Sequence, residues 1–498
     1  MSITKKLIKG SIWNSISQFG NQGINFVITL VLARLLGPEN YGLIGMVTII
    51  VTFFGYFSEF GFIGTLVQKK DVDDLDYYTA FWGTIFFGII IYLIVFFGAP
   101  LISLYYNEGR LTLITRIFFI NFLIMPLNFI PETREIKLLK YDKLSIAELG
   151  SSFLAGVAAI IIAVRGGGVW SLVFFQIVRV TVRALMLFAM TKWLPKFRFS
   201  LERFLSFLKT GLQFTINSLM KYLTENVDYL IVAKMLGAKP LGIYTLAFRL
   251  SKYPISKAWL VFGKMLFPAF STMQDEEKIR QNLLKLSFTA GIILIPILVF
   301  AIFSIKSIIV LFLGSKWIPV IPIARFFFFY LIIYSICIAD DSVIMSLGKV
   351  HILNIIKMIS TVCLFFAGFF ATMSFKLMGM TWAFTFVTIF TLLIIKLILH
   401  KMLMIKFLKT WKIFFHIIML AIIYFIAMFS VSYLYKKFFL NSDIIQLIIN
   451  AGLTGIIALL SIKFYLQVDL KNKSVNIKLI KSLKGHDINE KKQTNSIQ

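Results

Sequence analysis

The chain reads as an all-α polytopic membrane protein of about fourteen transmembrane helices. Three observations predict this. Hydrophobic residues make up 59% and charged residues 15% of 498 positions, with mean hydropathy +0.86, whereas a soluble domain carries roughly 25% charged residues. Apolar stretches long enough to cross a bilayer as helices, roughly 20 residues each, recur along the whole chain. Lysine and arginine then concentrate in every second loop, as the positive-inside rule requires of a chain threaded back and forth.

In chain order the spans are predicted at 11–36, 41–67, 78–105, 111–130, 144–164, 169–190 and 207–236. They continue at 241–270, 286–303, 321–347, 352–373, 378–399, 414–435 and 444–465. The first follows Lys5, Lys6 and Lys9, but it is long, rich in amides and lacks a small-residue cleavage site, so it reads as a retained span and not a signal peptide. The third follows Asp71, Asp73, Asp74 and Asp76, which lack the glycine and spacing of a calcium loop and read as solvated. The eighth contains Pro254, which is expected to bend it.

Loops on one face carry Lys69 and Lys70, then Arg134 to Lys143, then Lys192 to Lys209. Further along, that face holds Lys278, Arg280 and Lys285, Lys401 to Lys412, and a basic tail. The other face offers little beyond Arg110, Arg165, Lys239, Lys306, Lys316, Lys376, Lys436 and Lys437. Both termini are therefore expected in the cytoplasm. The same rule accounts for the net charge of +28 without nucleic acid. Cys337 and Cys363 both fall in apolar segments, so no disulfide framework is implied.

An internal repeat organises these spans. Ala33-Arg34-Leu35-Leu36-Gly37 with Gly42 returns as Ala233-Lys234-Met235-Leu236-Gly237 with Gly242, each moved by 200 positions. Two copies of a six-helix unit in the same orientation follow, related by an axis along the membrane normal. This divides the chain into an N-lobe at 1–200, a C-lobe at 201–403, two extra helices at 404–467 and a basic tail at 468–498.

Ionisable residues inside spans mark candidate sites, because a charge near the bilayer centre costs roughly 2.5–3.5 kcal/mol and must turn toward a partner or water. Lys221, Glu225 and Asp228 recur at intervals of four and three, forming one stripe on the seventh helix, and the eighth adds Arg249, Lys252 and Lys257. Asn21 and Asn25 hold the corresponding stripe of the first helix, where the neutral amides stand in place of Lys221 and Glu225. Arg116, Arg179, Arg183, Arg325 and Lys357 are further intramembrane cations, Arg183 near enough to its helix end to snorkel. The bland reading pairs Lys221 with Glu225 one turn away, snorkels Lys252 and leaves Glu225 and Asp228 to neutralise nearby cations. The sharper one has the cations Lys221, Arg249, Lys252, Lys257, Arg116 and Arg325, with Asn21 and Asn25, hold anionic cargo. Glu59, Glu225, Asp228, Asp340 and Asp341 are then candidates for coupling to an ion gradient, since burial moves carboxyls toward carrying a proton.

Two blocks carry a resemblance. Phe57-Ser58-Glu59-Phe60-Gly61-Phe62 runs on to Leu66-Val67-Gln68-Lys69-Lys70-Asp71, and Asn226-Val227-Asp228-Tyr229-Leu230-Ile231 is followed by Leu236-Gly237, Leu241-Gly242-Ile243-Tyr244 and Ala247. The chain resembles the Wzx-like polysaccharide flippases of the multidrug/oligosaccharidyl-lipid/polysaccharide exporter superfamily. The resemblance implies a V-shaped pair of six-helix lobes, alternating access and proton antiport. It also implies a cargo of oligosaccharide repeat unit on a polyprenyl diphosphate, with the glycan polymerase and glycosyltransferases of the same pathway as partners. Lipid II flippases of that superfamily carry arginines in the first helix where this chain has amides, so peptidoglycan-precursor specificity is not implied.

Two other functions fit parts of the pattern. A multidrug or small-molecule antiporter would share the fold, but a cation exporter would line its path with carboxylates. A membrane glycan polymerase or ligase needs acid, base or activating groups on the outer face, and the longest outer segment, 306–319, holds no His, Asp or Glu. No phosphate-binding loop, metal cluster or nucleophile motif is present, so no cofactor or metal is expected.

Overall fold

The computed structural model describes residues 3–59, 61–69, 71–273, 275–404, 407–438 and 443–471. The tail at 472–498 lies outside them. Among the described residues the regular structure is helical throughout. The first half holds α1 (Ile3–Leu36), α2 (Pro38–Glu59), α3 (Phe62–Gln68), α4 (Asp74–Tyr106), α5 (Leu111–Phe118), α6 (Asn121–Ile124), α7 (Pro126–Lys137), α8 (Tyr141–Val164) and α9 (Val169–Thr191). The second holds α10 (Leu201–Leu236), α11 (Ala238–Ser271), α12 (Glu276–Ile308), α13 (Val320–Ile336), α14 (Asp340–Ser346) and α15 (Val350–Met402). Two helices follow, α16 (Phe407–Phe438) and α17 (Asp443–Lys471). Nine helical segments among the described residues are long and apolar enough to cross a membrane, and the longest, α15, is two arms joined at Lys376. The chain is a multi-pass membrane protein.

Several predicted spans are helical but broken, each for a visible reason. The second stops at Gly61, whose φ of +68° is a left-handed conformation that glycine adopts freely, before restarting as α3. In the fourth, α5, α6 and α7 replace one continuous helix; Pro126 starts α7 and Pro131 lies within it. The tenth breaks between α13 and α14. Pro254, by contrast, does not end α11, which runs from Ala238 to Ser271.

In the acidic run before α4, Asp71, Asp73 and Asp74 are exposed as the sequence predicts, and Asp76 is a correction to that reading. Asp73 is the N-cap: its side chain accepts from the Asp76 backbone N–H, and the Asp76 side chain accepts from the Asp73 backbone N–H. Such a capping box is worth about 0.5–2 kcal/mol. Asp76 is not solvated at all, its side chain being 1% exposed beneath Lys69 and Arg203.

The two halves repeat one another beyond the 200-residue motif. Asp73 caps α4 and Asp275 caps α12. Gly37 and Gly237 end α1 and α10 at φ +79° and +86°. Leu139 and Gly348 close matching turns in the left-handed region, with Lys140 N–H donating to Glu135 O at 2.9 Å and Lys349 N–H to Ile344 O at 3.1 Å. Gly168 and Lys376 share one unusual conformation, φ/ψ 53°/−128° and 52°/−134°. Ile114-Thr115-Arg116-Ile117-Phe118-Phe119 overlies Ile323-Ala324-Arg325-Phe326-Phe327-Phe328, with residues 1, 2, 5 and 6 of each hexapeptide buried. The largest apolar core joins both copies, from Leu32, Leu43 and Phe119 to Tyr244, Trp317 and Phe327.

The halves meet where α2 crosses α11. A Cβ on Gly42 would overlap the Ala238 carbonyl, and one on Gly242 would overlap the Pro38 carbonyl. The paired glycines of the sequence repeat are thus explained by backbone approaching backbone, which only glycine permits. This crossing lies near the lysine-poor face. On the lysine-rich face Gly61 abuts the Gly211 backbone in the same manner.

Candidate functional site

The stripe on α10 changes character along its length. Lys221 and Glu225 are exposed, with Nζ and Oε1 4.0 Å apart, whereas Asp228 is buried and accepts a hydrogen bond from the Tyr244 hydroxyl at 2.9 Å. The difference follows from packing: α11 covers the helix at Asp228 through Tyr244, which in turn rests edge-on against Phe327, 5.4 Å away. On α11, Arg249 and Lys252 are also exposed. Lys252 Nζ stands 5.2 Å from the Phe248 ring centroid and within electrostatic reach of Asp228, and Arg249 is within such reach of Tyr41 and Tyr229. The side chains of Lys257 and Glu59 lie outside the described residues.

Other expected site residues are placed elsewhere. Arg116 Nε donates to Phe96 O at 3.1 Å with its guanidinium 4.5 Å from that ring, and Arg325 Nε donates to Ile302 O at 3.3 Å. The two arginines are therefore equivalent, each tied to the third helix of its own half. Asn25 Nδ2 donates to Asn21 Oδ1 at 2.6 Å, and Asn21 Nδ2 donates to Glu148 Oε1 at 2.8 Å.

Glu148 leads to residues that the sequence reading missed. It bridges Arg179 at 2.5 Å and Arg183 at 2.9 Å, and Arg183 also reaches Glu132 at 2.9 Å. Arg183 therefore does not snorkel; it joins α7, α8 and α9. The second half has its own cluster, in which Asp341 pairs with Lys357 at 2.6 Å and the buried Asp340 pairs with the buried Lys396 at 2.9 Å. Glu132 and Asp341 stand 209 positions apart, as do Glu148 and Lys357, so the copies place ion pairs alike while inverting the charge at the second site. Glu148 and Lys396 each stand inside an apolar span, and that alone was a signal available in the sequence.

A polar cleft opens on the lysine-rich face, lined by Thr65, Gln68, Lys69, Asp76, Glu202 and Arg203. Arg203, in the first turn of α10, bridges Asp73 and Asp76 of the first half, the latter at 3.0 Å, and Lys69 reaches Asp76 at 2.7 Å. The Arg203 guanidinium and the Asp76 backbone N–H hold the Asp73 carboxyl below its ordinary pKa.

Comparison with known proteins gives a consistent picture. A family model described as "Polysaccharide biosynthesis protein" matches residues 31–322. The chain is 28% identical to the lipopolysaccharide biosynthesis protein WzxC of Escherichia coli K12 over 71% of this chain and 72% of that one. It is 25% identical to the teichuronic acid biosynthesis protein TuaB of Bacillus subtilis, covering 70% and 73%. Among solved structures, the lipid II flippase MurJ in an inward closed conformation superposes with a TM-score of 0.72 at 15% identity, over 93% of this chain and all of that one. An inward-facing multidrug resistance transporter of the MATE family and MOP superfamily gives a TM-score of 0.60 at 12% identity, over 79% and 98%. At these identities the structural matches speak to the fold alone.

Proposed function

This chain belongs to the polysaccharide biosynthesis protein family, and from that premise we infer that it is a flippase moving oligosaccharide repeat units, linked to a polyprenyl diphosphate, across the cytoplasmic membrane. The glycan feeds a surface polysaccharide of the O-antigen, capsule, exopolysaccharide or teichuronic acid kind. In this reading residues 1–200 and 201–403 are the lobes of an alternating-access transporter with fourteen crossings and both termini in the cytoplasm. Its working partners are membrane lipids, the glycan polymerase and the glycosyltransferases that build the cargo.

The observation that carries the reading is the joining of two copies at the α2–α11 crossing, with exposed cations on α10 at Lys221 and on α11 at Arg249 and Lys252. A diphosphate entering a low-dielectric layer needs such partners, because an unpaired ion there is prohibitively costly. Lys221, Arg249 and Lys252, joined by Lys257, are the proposed diphosphate ligands through charge-assisted hydrogen bonds. Arg116, Arg325, Asn21 and Asn25 are proposed to extend this surface. Glu59, Glu225, Asp228, Asp340 and Asp341 are the proposed coupling carboxylates. The excess of cations favours this over export of cationic drugs.

The test replaces Lys221 and Lys252 with Gln and measures surface glycan at equal protein level. A fall of at least about tenfold is expected if either contributes a charge-assisted bond, and unchanged export would remove both from the site. Collapsing the ion gradient in vesicles is expected to stop flipping; persistence would make the carboxylates structural.

A further inference from the structure

We propose that Arg34 and Lys234 are reciprocal latches that hold the lysine-poor face shut, each reaching from the first helix of its own half to the end of the third helix of the other. Arg34 Nη1 donates to Leu311 O at 2.9 Å, and Lys234 Nζ donates to Tyr105 O while standing 4.2 Å from the Tyr105 ring centroid. The two cations are the same position of the duplicated motif, 200 residues apart. Their acceptors are equivalent too: Tyr105 is in the last turn of α4, and Leu311 is in the short π-helical extension, Ile309–Leu313, that continues α12.

Chemistry explains why a cation belongs there. The last carbonyls of a helix have no partner within it and form the negative end of its dipole, so a lysine or arginine supplied by another element satisfies them. Both cations are exposed, so water can replace either bond when the latch opens. Between the latches the Trp317 indole N–H donates to Ala33 O at 2.8 Å, and the Gly42–Gly242 crossing brings the backbones together. Every contact in this set joins one half to the other, and alternating access requires that all of them be lost together when this face opens. The inference rests on the two-lobe transport reading.

The test is accessibility. In full-length protein with Cys337→Ser and Cys363→Ser, a cysteine is placed at Thr245, beside the crossing and packed near Gly45. A membrane-impermeant maleimide is then added from the lysine-poor side of proteoliposomes. Arg34→Ala and Lys234→Ala are each expected to raise the labelling rate about fivefold, the double variant more, as loss of a charge-assisted bond shifts a two-state equilibrium. Lys234→Arg should label like the parent. Equal labelling of the double variant and parent would overturn the proposal, as would an equal rise from Lys239→Ala, which alters charge on the same face without touching a latch. Labelling needs no cargo, so failure of the flippase reading would show separately, as surface glycan unchanged in cells that lack the protein.

Discussion

Asp340 and Lys396 bury opposite charges at 1% and 6% side-chain exposure. Removing one partner of a buried pair strands the other, at a cost of about 3–5 kcal/mol, whereas replacing both with apolar groups is often neutral. Asp340→Asn is therefore expected to lower the melting temperature in detergent, and Asp340→Leu with Lys396→Leu to recover most of the loss. Asp73 offers a pH test. Its folded pKa is depressed, chiefly by the Arg203 hydrogen bond, so the stabilisation it gives is present above its unfolded value and is lost as pH falls through the folded value. Spin labels at Asp71 and Lys209, flanking the clasp that Arg203 forms with Asp73 and Asp76, should stay at one separation at neutral pH. They should broaden only below the ordinary aspartate range; a distance constant to lower pH would exclude Asp73 from the clasp. At this scale the sequence disclosed which residues carry charge at depth but seldom whom they meet. Glu148 gathers Asn21, Arg179 and Arg183 from two other helices, and nothing in linear spacing encodes that convergence.

Helices were far more legible, because apolar runs and turn residues are local properties of the chain. The breaks were less so. Gly61, and the gap between α13 and α14, interrupt segments whose hydropathy runs on, since a left-handed residue or a lost hydrogen bond leaves hydropathy unchanged. The break at Lys376 was legible, since the spans predicted at 352–373 and 378–399 leave it between them, but its form was not: it adopts the backbone conformation that Gly168 adopts in the other copy. A side chain there costs about 1–3 kcal/mol, so Lys376→Gly is expected to raise the melting temperature in spite of glycine's larger unfolded-state entropy. A lower value would show that the lysine is held by contacts worth more than the strain. Gly42→Ala and Gly242→Ala should do the opposite. Each methyl would meet a carbonyl of the facing helix, so the crossing must spread, and glycan export should fall with either substitution at equal protein level.

For the whole molecule, the repeat foretold two copies, and the comparisons place the chain among polysaccharide biosynthesis proteins. What spacing could not foretell was that the copies touch near both faces, at Gly42 and Gly242 and again at Gly61 and Gly211. Cysteines at Thr65 and Ser206, which line the polar cleft beside this contact, should be joined by a short bifunctional methanethiosulfonate in the cysteine-free background and stop export until reductant is added. Full export by the cross-linked protein would mean that the lysine-rich face need not part.

The crossing of α2 and α11 also sets a mechanical ratio. From Gly42 to the end of α2 at Glu59 the helix extends roughly 26 Å at 1.5 Å per residue. Used as a hinge, the glycine contact turns a tilt of about 10° into a gap of roughly 4–5 Å at the far end of that lever arm. A small rotation at one pair of backbones thus becomes a doorway at the other, with both helices left intact.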